Sequence, residues 1–119
     1  MRVDHERLDV YRYALALVSD VHRFLAALPR GHSDLADQLR RASTSIVLNT
    51  AEGAGEFSKR EKARLFRTAQ RSAIECAATL DVLETLGAAS EDATRPLRSQ
   101  LVRIVSMLVG LIRRGQRSQ

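Results

Sequence analysis

At 119 residues the chain has the length of one domain built around one hydrophobic core. Apolar residues make up 45% and charged residues 28%, a balance that excludes a disordered chain and leaves enough apolar surface for a packed interior. The formal charge of +5 suits a polyanionic partner, and the single cysteine, Cys76, excludes an intramolecular disulfide and argues against a cysteine metal cage.

The basic residues are nearly all arginine, with lysine only at Lys59 and Lys62. The longest uninterrupted apolar run, Tyr13 to Val18, is far short of the roughly 20 residues that cross a membrane. No signal-peptide core is visible, so the expectation is a cytoplasmic protein with no membrane partner.

The first helix is expected over about residues 6–28. Leu8, Tyr11, Leu15, Val18 and Leu25 recur at spacings of three and four with His22 in the vacant slot. Val10, Ala14, Leu17, Val21, Phe24 and Leu28 run beside them. Together they make an apolar stripe wider than one bundle seam requires, which predicts a central helix or a second contact surface. Pro29-Arg30-Gly31 then stops the helix.

A second helix is expected over about 34–53, with Ser33 as N-cap and Asp34 in the first turn. Leu35, Leu39, Ala42, Ile46 and Asn49 form its inward stripe, and Gly53 and Gly55 are expected to end it in the left-handed conformation. The third, about 59–86, opens on Ser58-Lys59-Arg60-Glu61, a capping box in which Ser58 and Glu61 satisfy each other's amides. Its core series is Phe66, Ala69, Ala73, Cys76, Leu80 and Leu83, ending at Gly87.

The fourth helix is expected over about 94–114, late because Pro96 is tolerated only in a first turn. Leu97, Leu101, Ile104, Leu108 and Leu111 make its seam, with Val105 and Ile112 beside it. From Gly115 onward a frayed basic tail is expected. Four amphipathic helices with short connections specify an all-α, antiparallel, up-down-up-down four-helix bundle as a single domain over 1–119.

The feature most suggestive of function is a stripe of charge on the third helix. Arg60, Arg64, Arg67 and Arg71 fall at spacings of four, three and four, with Lys59 and Lys62 near the start. At 1.5 Å per residue the stripe covers about 16 Å, enough to follow several phosphates of RNA or DNA. Arginine suits that task because its planar fork donates two hydrogen bonds to one phosphate. The plainer alternative is a solvated face paired with neighbouring acids such as Glu61 and Glu75. Smaller basic groups are Arg40-Arg41 and Arg113, Arg114 and Arg117. The only aromatic within the stripe is Phe66, a core residue, so no stacking platform is expected and binding would depend on phosphates or shape.

Ser45, Asn49 and Glu52 on the second helix, and Thr68, Ser72, Glu75 and Thr79 on the third, form two polar rows. They predict a buried hydrogen-bond network that fixes register. Glu52 and Glu75 as acid and base lack an accompanying nucleophile, and no Glu-x-x-His spacing for a metal is present. His5, His22 and His32 are scattered, and Cys76 reads as a small core residue. Gly53-Ala54-Gly55 lacks the preceding strand and following Lys-Ser/Thr of a phosphate loop. No enzyme activity, cofactor or metal is expected.

The run Gln38 to Ile46, followed by Asn49-Thr50-Ala51-Glu52-Gly53, resembles a signature of small bacterial four-helix-bundle proteins first found in intervening sequences of 23S ribosomal RNA genes. Leu8-Asp9-Val10-Tyr11, the Ser58 to Glu61 cap and the Ser72-x-x-Glu75 pair fit it too. The resemblance implies a ring-shaped homo-oligomer, a pentamer, with no enzymatic activity and a role in binding nucleic acid. The accessory protein of diversity-generating retroelements, which works with a reverse transcriptase, looks like a relative. A protein-interaction adaptor holding such a polymerase is therefore the alternative function. Two positions depart from the family pattern: Arg71 where Gly is frequent, and Glu56 where a basic residue is frequent. The second argues against phosphate contact by the turn between the second and third helices.

Overall fold

Apolar residues at spacings of three and four put the chain into four helices, because that spacing sets them on one face of a 3.6-residue turn. The computed structural model describes residues 5–117, with side-chain surroundings for 9–115. The helices are α1 His5–Ala26, α2 Ser33–Gly55, α3 Lys59–Thr85 and α4 Glu91–Arg117. No strand occurs among the described residues. Each helix packs on its neighbours in sequence and α1 also packs on α4, closing a ring of four antiparallel helices about 48 Å long. The all-α bundle expected from periodicity is thus the observed architecture.

The core follows the predicted seams. Ala69, Ala73, Cys76, Leu80 and Leu83 of α3 and Leu97, Leu101, Ile104 and Leu108 of α4 are buried, as is Phe66. On α1 the second apolar series is the core series: Val10, Ala14, Leu17 and Val21 are almost fully covered. Of the first series, Leu15 is 44% exposed and His22 is exposed, whereas Tyr11, Val18 and Leu25 lean on the core from its edge. The side chains of Leu8 and Arg117 lie outside the described residues. The helix is peripheral, not central, and the width of its stripe is left as partly uncovered surface.

Several helix ends differ from expectation. His32, not Ser33, occupies the N-cap of α2, without a side-chain cap bond. The α1 helix stops at Ala26: the Ala27 and Leu28 amides donate three residues back, to Phe24 and Leu25 at 3.2 Å, and Pro29 has no amide hydrogen to continue the ladder, after which the chain turns through Gly31 at φ +100°. Gly53 and Gly55 do not break α2, which runs to Gly55 with neither glycine at positive φ. At Gly53 the requirement is space: a Cβ there would stand 2.6 Å from the Phe66 ring.

The α4 helix begins at Glu91, three residues earlier than the proline suggested, and continues through Gly115 to Arg117. Ser90 caps it, its Oγ accepting from the Ala93 amide at 3.1 Å. Pro96 is the sixth helical residue, and the hydrogen bond it forgoes would have gone to Asp92, an exposed residue whose carbonyl water can serve. Four side chains hold this first turn in place. Thr94, fully buried, donates its hydroxyl to Glu84 of α3, and Arg98 donates to Thr94 at 3.3 Å and to Glu84 at 2.9 Å. Arg98 also bridges to Asp81 at 2.8 Å. Burial opposes the Arg98 charge, but the hydrogen bonds and charges of Asp81 and Glu84 outweigh it and hold the group above its ordinary pKa.

Candidate nucleic-acid interface

The α2–α3 seam is the most extensive in the bundle, and small residues explain it. Ser45 on α2 meets Ser72 on α3, Gly53 leaves room for the Phe66 ring, and Ala42, Ala69 and Ala73 are buried as well. At its middle, the Ser45 and Ser72 hydroxyls hydrogen-bond at 2.8 Å. The Asn49 amide donates to the Ser45 carbonyl and hydroxyl at 2.9 and 3.0 Å. These three residues are the cross-helix part of the predicted polar network.

Glu52 and Glu75 stand outside that cluster, and both are exposed. Glu75 accepts from Gln38 at 3.4 Å, near the start of α2, whereas the Glu52 charge acts on Arg64, near the start of α3. The antiparallel register, with Ser45 against Ser72 and Gly53 against Phe66, separates the two positions by about 13–15 Å along the bundle, too far for an acid–base pair. Thr68 and Thr79 return their hydroxyls to carbonyls of their own helix, those of Arg64 and Glu75. A cleft of about 670 Å³ above the Ser45–Ser72 bond is lined by Asp34, Asp37, Gln38, Arg41 and Glu75. Its mixed charge gives no preference for an anion.

The arginine stripe lies on the outward face of α3, with Arg60, Arg64, Arg67 and Arg71 all exposed. Lys59 is exposed and Lys62 half-buried. The four arginines are not equivalent. Arg64 donates from Nε and Nη2 to the Glu61 carboxylate at 2.9 to 3.2 Å. That hydrogen bond raises the Arg64 pKa, with Glu61, Glu52 and Glu56 adding their charges. Reciprocally, it holds the Glu61 carboxyl below its ordinary value. Arg67 and Arg71 have no ion-pair partner among the described residues. Arg40 pairs with Asp37 at 2.9 Å, while Arg113 and Arg114 are exposed at the far end of α4.

The capping box is half formed. Ser58 Oγ accepts from the Glu61 amide at 3.3 Å, but Glu61 turns its carboxylate to Arg64 and does not reach back. Glu56 supplies the missing acceptor, its Oε1 taking both the Phe57 and Ser58 amides at 3.1 Å. The turn residue between them, Phe57, is 90% exposed. Periodicity passes over Phe57 because it belongs to no helical stripe, yet it stands three residues before Arg60. Phe66 remains the one aromatic within the stripe, and Phe57 is an exposed aromatic just ahead of it in the chain.

The sequence pattern of the 23S rRNA-intervening sequence proteins matches residues 6–110. A crystal structure of a protein with unknown function from the S23 ribosomal protein family of Bacteroides thetaiotaomicron is similar, with a TM-score of 0.84 at 17% identity, over 91% of this chain and 98% of that one. At that identity the likeness concerns the fold. Among curated proteins, none matches the chain.

Proposed function

This chain belongs to the 23S rRNA-intervening sequence protein family, and we propose that it is a non-enzymatic, homo-oligomeric protein that binds RNA or DNA through the outward face of α3. The observation that carries the reading is the exposed row Arg60, Arg64, Arg67 and Arg71, in which Arg67 and Arg71 have no ion-pair partner among the described residues. Unpaired guanidinium groups one helical turn apart match the spacing and chemistry of a phosphate backbone. They make no distinction among bases, so recognition follows phosphate position and strand shape.

Self-association fits the surface. Leu15 on α1, Leu48 on α2, Ile74 and Val82 on α3 and Val102 on α4 are large apolar residues 43% to 70% exposed. Closing copies against one another covers such residues and repeats the arginine row around the assembly. The pentamer implied by the family pattern has five times the 13.2 kDa chain mass, which sedimentation measures directly.

The test of binding is a fluorescence-anisotropy titration of labelled RNA and DNA at increasing salt. Affinity should fall steeply, with a log–log slope near −3 on single strands if four phosphates are engaged. No association at low salt would discard the reading, and retention of one specific protein after nuclease treatment would favour an adaptor in its place.

A further inference from the structure

Phe57 is the most exposed large apolar side chain described, at 90%. A hydrophobic residue just before an N-cap ordinarily packs on the fourth helical residue, forming a staple that sets the entry angle of the chain. Here that residue is Lys62, so Phe57 has no apolar partner on its own helix. The ring stays in solvent even though its backbone is well held. Glu56 ties down the Phe57 and Ser58 amides, and Ser58 caps α3. A held turn presenting a bare ring costs little conformational entropy when something settles on that ring.

The surroundings say what the ring suits. Arg60 follows three residues later in the chain, in the first turn of α3, and Arg64, Arg67 and Arg71 continue the row for about 16 Å. The Glu56 carboxylate is held by two backbone amides, and its charge, like that of Glu52, bears on Arg64. An aromatic face at the end of a row of guanidinium groups is the combination that holds unpaired nucleotides, with the bases stacking and the backbone tracking the charges. A duplex hides its base faces and offers the ring nothing.

We propose that Phe57 is a base-stacking platform and that the ligand of the α3 face is a single-stranded nucleic acid, one base resting on Phe57 and its neighbours' phosphates on Arg60, Arg67 and Arg71. This rests on the binding reading above and narrows it to a strand class and an anchoring residue.

The test compares a labelled 15-nucleotide oligouridine with a duplex RNA of equal length. The protein, Phe57→Ala, Phe57→Trp and the double variant Arg67→Glu/Arg71→Glu are each titrated by anisotropy. Phe57→Ala should weaken single-strand binding about tenfold and leave duplex binding unchanged. Phe57→Trp should retain the affinity, and because the chain has no other Trp, its fluorescence should be quenched by the oligouridine. Equal single-strand affinity of the protein and Phe57→Ala, with binding still lost in the double arginine variant, overturns the platform and leaves the phosphate reading standing. Absence of binding by the unaltered protein overturns both. A drop in sedimentation mass in Phe57→Ala also overturns the platform, because it makes Phe57 a contact between copies.

Discussion

The Phe66 ring occupies the space that any side chain on Gly53 would need: a Cβ there would lie 2.6 Å from Cε1 and 2.8 Å from Cδ1. Phe66 is only 2% exposed and surrounded by the core, so it has nowhere to retreat. Gly53→Ala should therefore destabilise the bundle by about 1–2 kcal/mol, overpacking outweighing the gain in helix propensity. Gly55→Ala is the matched control. It meets open space and lacks positive φ, and should stabilise by up to about 1 kcal/mol. Urea unfolding of the pair checks this, and equal stability of Gly53→Ala and the parent would refute the steric account.

The start of α4 depends on Thr94. Thr94→Val keeps the volume but removes the hydroxyl that meets Glu84, leaving one oxygen of a partly buried carboxylate and the Arg98 Nε contact unserved. A loss of about 1–3 kcal/mol is expected. Thr94→Ser should recover most of it. Hydrogen exchange should show faster opening over the turn that contains Pro96.

Charge reversal should sort the arginines by their existing partners. Arg67→Glu and Arg71→Glu should each weaken nucleic-acid binding by about tenfold, whereas Arg64→Glu should cost only about twofold because Glu61 already holds that guanidinium. Glu61→Gln releases Arg64 and should strengthen binding. A ranking in which Arg64 dominates would contradict the assignment.

Cys76 is fully buried, and burial, helped by the charge of Glu75, pushes its thiol up to about 12. The native thiol should resist aromatic disulfide reagents at pH 8 and react once the chain unfolds. The folded pKa lies above the unfolded one, so this group's contribution to stability is complete below about pH 9 and lost as pH rises toward 12. Cys76→Ala should show a shallower decline over that window in alkaline denaturation.

The helices and their seams were legible in the chain because burial in a bundle repeats with the helical period. Leu97 through Leu111 and Phe66 through Leu83 declare their faces without reference to any other element. The arginine row was legible for the same reason. The helix ends were less so, since Pro96 and Gly53 carry strong local preferences that tertiary contacts overrode. Thr94, Glu84 and Arg98 stabilise a helix start that local propensity disfavours, and no periodic pattern links residues on two different helices. Phe57 went unread because an exposed aromatic in a turn has no periodicity, and its solitude follows from Lys62 standing where a staple partner would be.

Local spacing along the chain is enough to set the number of helices, the faces they bury and the row of guanidinium groups on α3. Packing between helices selects which of two apolar series on α1 faces the core and makes Gly53 serve Phe66 in place of ending a helix. The Glu61 carboxylate, likewise, engages Arg64 and neither Arg67 nor Arg71. Those depend on where a second helix or a neighbouring carboxylate comes to rest, a relation between distant parts of the chain that folding alone creates.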